Sequence, residues 1–175
     1  MRGKTHAAAG LATGLALVLA CQNNVIAEPT IAMQIGTAAL AALGSLTPDI
    51  DLPESTIGSK VKPISTVLNK TFGHRTLFHS PLLYAVIFLL TFKLNLCLAL
   101  AFALGAVSHL LLDMLNQKGI PLLYPWKKTV HIASFSSDGI ADLICRIILT
   151  AAALILFVAI LRCNNVFEYI PFLLN

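Results

Sequence analysis

The feature that most constrains this chain is a series of apolar runs at about residues 7–27, 31–46, 81–92, 94–115 and 139–161. About 20 apolar residues are enough to cross hydrocarbon as a helix, the one local structure that satisfies its own backbone hydrogen bonds there. With 57% hydrophobic against 11% charged residues over 175 positions, water is not the main solvent of such a chain. The sequence therefore predicts an all-α fold: a polytopic transmembrane helix bundle of about five spans, forming a single integral membrane domain over residues 1–175. Two runs, 31–46 and 81–92, fall below the roughly 17 residues of a comfortable span. They must thin the bilayer, borrow flanking residues or form a re-entrant hairpin.

Polar punctuation at Asn23-Asn24, Glu28-Pro29 and Lys93 is of the kind that joins antiparallel neighbours by short turns, so the first four spans read as two hairpins. Orientation follows from the basic residues, which cytoplasmic loops retain. Arg2 and Lys4, then Lys60, Lys62, Lys70 and Arg75, then Lys118, Lys127 and Lys128 fall on one side, and Lys93 and Arg162 on the other. That distribution predicts a multi-pass protein of the inner, cytoplasmic membrane with a cytoplasmic N-terminus and cytoplasmic loops at 48–80 and 116–138. The segment from Arg2 to Cys21 resembles a signal peptide, but Leu19 is bulky where a cleavage site needs a small residue, and we read it as a retained first span. The net charge of +4 is scattered between apolar runs and forms no basic stripe, so no nucleic-acid partner is expected; membrane lipids are. Cys21, Cys97, Cys145 and Cys163 include no C-x-x-C pair and read as reduced helix-packing residues.

On this topology the side chains able to bind a metal or move a proton gather at the cytoplasmic helix ends. His6 opens the first span, Asp49 and Asp51 close the second in Thr47-Pro48-Asp49-Ile50-Asp51, His74 and His79 precede the third, and His109 and Asp113 lie near the exit of the fourth. A spacing of four puts His109 and Asp113 on one helix face, where they suit either a shared metal or a hydrogen bond that packs the bundle. Asp49 and Asp51 after a proline suit an irregular turn that aims two carboxylates inward, or ordinary turn chemistry. His74 and His79, five apart, converge only if the segment before Pro81 is partly non-helical. Arg75 between them is suited to a carboxylate or a phosphate. Four histidines and three aspartates offer the N and O donors of zinc and other divalent ions, enough for more than one metal. Ser80 and Ser108 neighbour histidines, yet no nucleophile elbow is present. Tyr124 and Trp126 read as interfacial anchors. His131, Asp138 and Asp142 are weaker candidates on the same face; Asp138 suits a helix cap, and Asp142 a pairing with Arg146 one turn on.

Lys4-Thr5-His6, Leu46-Thr47-Pro48-Asp49-Ile50-Asp51, His74-Arg75-Thr76-Leu77-Phe78-His79-Ser80 and the stretch from Gly105 to Asp113 resemble, in their order and spacing, the YdjM-like family of bacterial inner-membrane proteins. Members are often described as LexA-regulated, metal-dependent hydrolases. The family is in turn distantly similar to zinc-dependent phospholipase C and P1-type nucleases, helical enzymes with His/Asp metal clusters. The resemblance implies that His6, Asp49, Asp51, His74, His79, His109 and Asp113 are ligands or catalytic groups.

The leading expectation is a membrane-bound hydrolase of phosphoester bonds, including lipid-linked ones, that uses zinc or manganese. Asp49 and Asp51 would serve in proton transfer and Arg75 would steady a phosphate oxygen. The same residues also suit an ion or proton transporter, although the opposite face offers little beyond Glu28, Lys93, Arg162 and Glu168 to continue a pathway. A non-enzymatic scaffold tied together by metal or hydrogen bonds is the third reading.

Overall fold

The computed structural model describes residues 2–22, 30–121, 123–126, 128–135 and 139–165. Asn23, Asn24, Glu28, Pro29, Lys127, Asp138 and Glu168 lie outside the described residues. The described residues form six α-helices: α1 (Gly3–Gln22), α2 (Ile31–Leu46), α3 (Lys62–Phe72), α4 (Pro81–Thr91), α5 (Leu96–Met114) and α6 (Ile140–Cys163). Their ends follow local chemistry. Thr30 Oγ1 accepts the Met33 N–H at the start of α2 (3.3 Å), and Asn95 Oδ1 accepts the Leu98 N–H at the start of α5 (3.0 Å). Pro63 and Pro81 stand in the first turns of α3 and α4, where a missing N–H costs nothing.

Among the described residues, four helices are long and apolar enough to cross a membrane: α1, α5, α6, and α2 together with the 3-10 turn Thr47–Asp51 that prolongs it to residue 51. That turn supplies the residues run 31–46 lacked. The run at 81–92 forms only the 11-residue α4, about 16 Å long at 1.5 Å per residue and too short to span alone. The segment 48–80, expected as loop, is more structured than that. It holds α3 and further 3-10 turns at Gly58–Val61 and Leu77–His79. The 116–138 segment carries a two-residue antiparallel ladder, Ile120–Pro121 against Thr129–Val130.

Small residues let α1, α2 and α5 approach closely. α1, α2 and α5 meet around the fully buried Ala41 of α2, which packs with Leu17, Cys21, Cys97 and Ala101. A Cβ on Gly105 of α5 would fall onto the Ala41 carbonyl oxygen, and one on Gly10 of α1 onto Ser45. Such backbone contact is how membrane helices gain dispersion energy when lipid offers no hydrophobic drive. α6 packs on α1 through Ala12, Leu15, Val18, Ala153 and Ile160. Its other faces expose Ile147, Ile148, Leu154, Ile155 and Phe157, as a hydrocarbon-facing helix should.

The two ends of the bundle differ chemically. At one end, Arg2 donates its backbone N–H to Asp142 near the start of α6 (3.0 Å). At the other, Gln22, Gln34 and Asn164 join α1, α2 and the end of α6 through amide hydrogen bonds of 2.8–3.4 Å. The described ionisable cluster sits at the first end.

Candidate metal centre

Four separate segments deliver the cluster. α1 brings His6 in its first turn. The 3-10 turn after α2 brings Asp49 and Asp51, since Pro48 cannot continue the helical hydrogen-bond pattern. α3 stops at Gly73, whose φ of 78° suits glycine alone without strain, and the chain reverses through Arg75 at φ 60°. That reversal is the non-helical segment that lets His74 and His79 point to one place. A non-glycine residue held in the left-handed region beside a cluster of buried charges is strain of the kind found at functional sites. α5 brings His109 and Asp113 on one face.

All seven predicted residues meet. His6, Asp51, His79, His109 and Asp113 are 0–2% exposed, whereas Asp49 at 17% and His74 at 28% open the cluster to its surroundings. His79 Nε2 lies 3.6 Å from both Asp49 Oδ1 and Asp113 Oδ2. His109 Nε2 lies 3.7 and 3.9 Å from the same two atoms, and His6 Nε2 lies 3.4 Å from Asp113 Oδ1. All of these separations but the 3.4 Å approach of His6 to Asp113, which is a long hydrogen bond, exceed hydrogen-bonding distance. They match the spacing around a cation: a tetrahedral ion with bonds of about 2.0–2.2 Å holds its donor atoms roughly 3.3–3.6 Å apart. Three groups have donor atoms all within 4.8 Å of one another: His6, Asp49 and His109; Asp49, His74 and His79; and His79, His109 and Asp113. Asp49, His79 and His109 each belong to two, so the groups are lobes of one cluster.

Buried polar atoms without partners make the same point. His6 Nδ1, both ring nitrogens of His79, His109 Nε2 and Asp51 Oδ2 have no hydrogen-bond partner. Leaving one such atom buried costs about 1–3 kcal/mol, and several in one place need a ligand to satisfy them. The donor set therefore fits a divalent ion.

Behind the converging atoms stands a supporting layer that sequence reasoning did not separate from the ligands. His109 Nδ1 lies 2.7 Å from the Ser45 carbonyl oxygen, which accepts only if Nδ1 carries the proton; Nε2 is then the free lone pair. Asp51 Oδ1 lies 2.8 Å from His74 Nδ1, and its Oδ2 lies 3.9 Å from His79 Nδ1. One fully buried carboxylate thus backs two histidines, and Asp51 belongs to none of the three converging groups. Arg75 places one guanidinium nitrogen 2.7 Å from Asp113 Oδ2 and donates from the other to the Gly119 carbonyl (2.8 Å). Its charge offsets one of three clustered carboxylates and ties the 116–121 segment over the site. His6 and His109 stack with centroids 3.7 Å apart, so α1 and α5 meet face to face here.

Of the weaker candidates, His131 and Asp142 belong to none of the converging groups. Ser108 Oγ donates to the Gly105 carbonyl of its own helix, and Ser80 Oγ accepts the Tyr124 N–H. Trp126 is exposed, as an interfacial anchor would be.

If Asp51 orients histidines rather than binding metal itself, Asp51→Asn is expected to weaken metal affinity about 10–100-fold without abolishing it. Isothermal titration of the metal-stripped protein measures this directly.

Among proteins of known sequence, the family model described as "YdjM inner membrane protein" matches residues 1–174. The uncharacterized protein YvsG of Bacillus subtilis (strain 168) is 33% identical over 141 residues, covering 79% of this chain and 82% of YvsG. The inner membrane protein YdjM of Escherichia coli (strain K12) is 43% identical over 93 residues, 49% of this chain and 47% of that one, and its Shigella flexneri counterpart matches equally. No solved structure matches.

Proposed function

The chain belongs to the YdjM family of inner membrane proteins, and from that premise we propose that it is a metal-dependent hydrolase of phosphoester bonds whose site faces the cytoplasmic headgroup region. The observation that carries the reading is the set of buried, unpartnered ring nitrogens converging with two carboxylates at cation spacing. A structural zinc site would suit cysteine and a closed shell; here the donors are His and Asp, and two of them are partly open.

His6, Asp49, His74, His79, His109 and Asp113 would hold the ion or ions, zinc or manganese. A divalent ion supplies a lowered pKa for water and stabilises charge on a phosphoryl oxygen. The chain's own residues do the rest. Asp51 and the Ser45 carbonyl hold the rings of His74 and His109 so that Nε2 faces inward. Arg75 balances the charge of Asp113. Asp49, a partly exposed carboxylate at the centre of the cluster, would bind through Oδ1 and leave its other oxygen to take a proton from water. The substrate class is a phosphoester presented at the membrane surface, lipid-linked ones included, entering past Asp49 and His74.

The test is elemental analysis of detergent-purified protein together with a phosphoester panel that includes phosphatidate. We expect one or two equivalents of zinc or manganese per chain, and phosphate release that a chelator stops and added metal restores. Turnover indifferent to chelation, or a folded protein that holds no metal, would overturn the reading.

A further inference from the structure

At the end of the bundle away from the His/Asp cluster, two thiols meet. Cys21, in the last turn of α1, and Cys97, in the first turn of α5, bring their sulfurs to 3.0 Å although 76 positions apart in sequence. Both are buried, among Leu17, Ala41 and Ala101 with Met33, Leu40 and Leu100 around them. Neither belongs to a converging metal-ligand group among the described residues. Among the described residues, the hydrogen bond of either sulfur is the contact between them.

We propose that Cys21 and Cys97 are a site of covalent modification, joined as a disulfide that pins α1 to α5. The remaining approach of the sulfurs is about 1 Å, against a bond of about 2.05 Å. The oxidant is a disulfide-bearing thiol oxidase on the face opposite the cluster, which the distribution of Lys and Arg makes the oxidising side. The Cys21 thiolate attacks a donor sulfur, forming a mixed disulfide and expelling one donor thiolate. The Cys97 thiolate then attacks the Cys21 sulfur and expels the second. Two electrons pass to the donor, and the two cysteine protons end on its thiols. Each cysteine lies one residue from the end of its helix, where fraying opens buried groups at low cost.

The placement gives the bond a mechanical role. His6 and Cys21 are about 22 Å apart along α1, and His109 and Cys97 about 18 Å apart along α5, at 1.5 Å per residue. The two helices are antiparallel, touching through stacked imidazoles at one end and through sulfurs at the other. Oxidation fixes the far end and limits how far the near ends can splay.

Differential thiol labelling of acid-quenched cells tests this. Free thiols are blocked under denaturing conditions with one maleimide, the protein is reduced, and newly freed thiols take a heavier one. We expect Cys21 and Cys97 to carry the heavy label at equal occupancy, Cys145 near the opposite end to carry the light one, and Cys21 to turn light in Cys97→Ser. Reductant should lower the melting temperature of the purified wild type on the order of 10 °C and leave Cys97→Ser unchanged. Light label on both Cys21 and Cys97 in the wild type would overturn the proposal. Because neither readout involves metal or turnover, its failure leaves the hydrolase reading standing, and the converse also holds.

Discussion

Asp49→Asn is expected to empty the metal centre. Bound zinc or manganese, counted per chain by elemental analysis, should fall to background, and affinity for added metal should drop by more than about 100-fold, beyond what losing a supporting residue costs. Asp49 belongs to two of the three converging groups, and its Oδ1 faces the Nε2 atoms of both His79 and His109. The amide keeps the shape but removes the negative charge and places an N–H₂ where a donor lone pair is needed. The fold should survive, because the turn is held through the Asp49 main chain: Ser55 Oγ and the Leu52 N–H both donate to its carbonyl (2.7 and 3.0 Å). An unchanged circular dichroism spectrum beside lost metal is the expected pair of results. Retained metal would place Asp49 outside the ligand set.

Gly105→Val is expected to remove the metal by a different route, without touching a ligand. No side chain fits between Gly105 and the Ala41 carbonyl, so α5 must move away from α2. Overpacking of this kind costs about 1–3 kcal/mol where side chains can give; here the obstacle is backbone, so the upper end is expected. The consequence at the site is larger. α2 leads into Asp49, α5 carries His109 and Asp113, and the Ser45 carbonyl on α2 orients His109 directly. A shift of about 1 Å breaks donor spacings that tolerate only a few tenths of an ångström. Metal content and melting temperature should both fall. Gly36→Ala, on the same α2, is the control: its added methyl meets only a Leu98 side-chain carbon at 3.5 Å, an ordinary contact, and both quantities should stay near wild type.

The helices that were legible in the sequence are those whose apolar runs exceed what a soluble core can hide: α5 and α6 lie within about two residues of the runs at 94–115 and 139–161, whereas α1 begins at Gly3 rather than at 7 and the expected end at 27 lies outside the described residues. α3 escaped because its signal is of another kind. Its buried side is narrow, centred on Ser65 and on Asn69, which donates to the Asp51 carbonyl (2.7 Å). Lys62, Lys70 and the two flanking prolyl and glycyl residues make it look like loop in any reading based on apolar length. The cluster was legible because ionisable groups are costly inside an apolar run, where His109 and Asp113 lie, so their coincidence with the others on one face is informative. Which of the seven converge and which stand behind them was not legible. Asp49 and Asp51 are two residues apart in one turn, and only the three-dimensional placement of the His74 ring sends one of them behind the histidines.

The cluster is assembled from both extremes of a long stretch of chain: His6 stands in the first helix and Asp113 at the end of the fifth. During synthesis the first donor leaves the ribosome long before the last, and the first hairpin holds no complete group. His6 and Asp49 are available after two helices, but each converging group also needs a residue from position 74 or later. On the proposed function, the two groups that use His109 form only after α5 has docked beside α1 and α2, whereas Asp49, His74 and His79 are in place before it. A chain stalled or misinserted before that point would present only the group of Asp49, His74 and His79, so that on this reading a full complement of metal would mark the finished molecule.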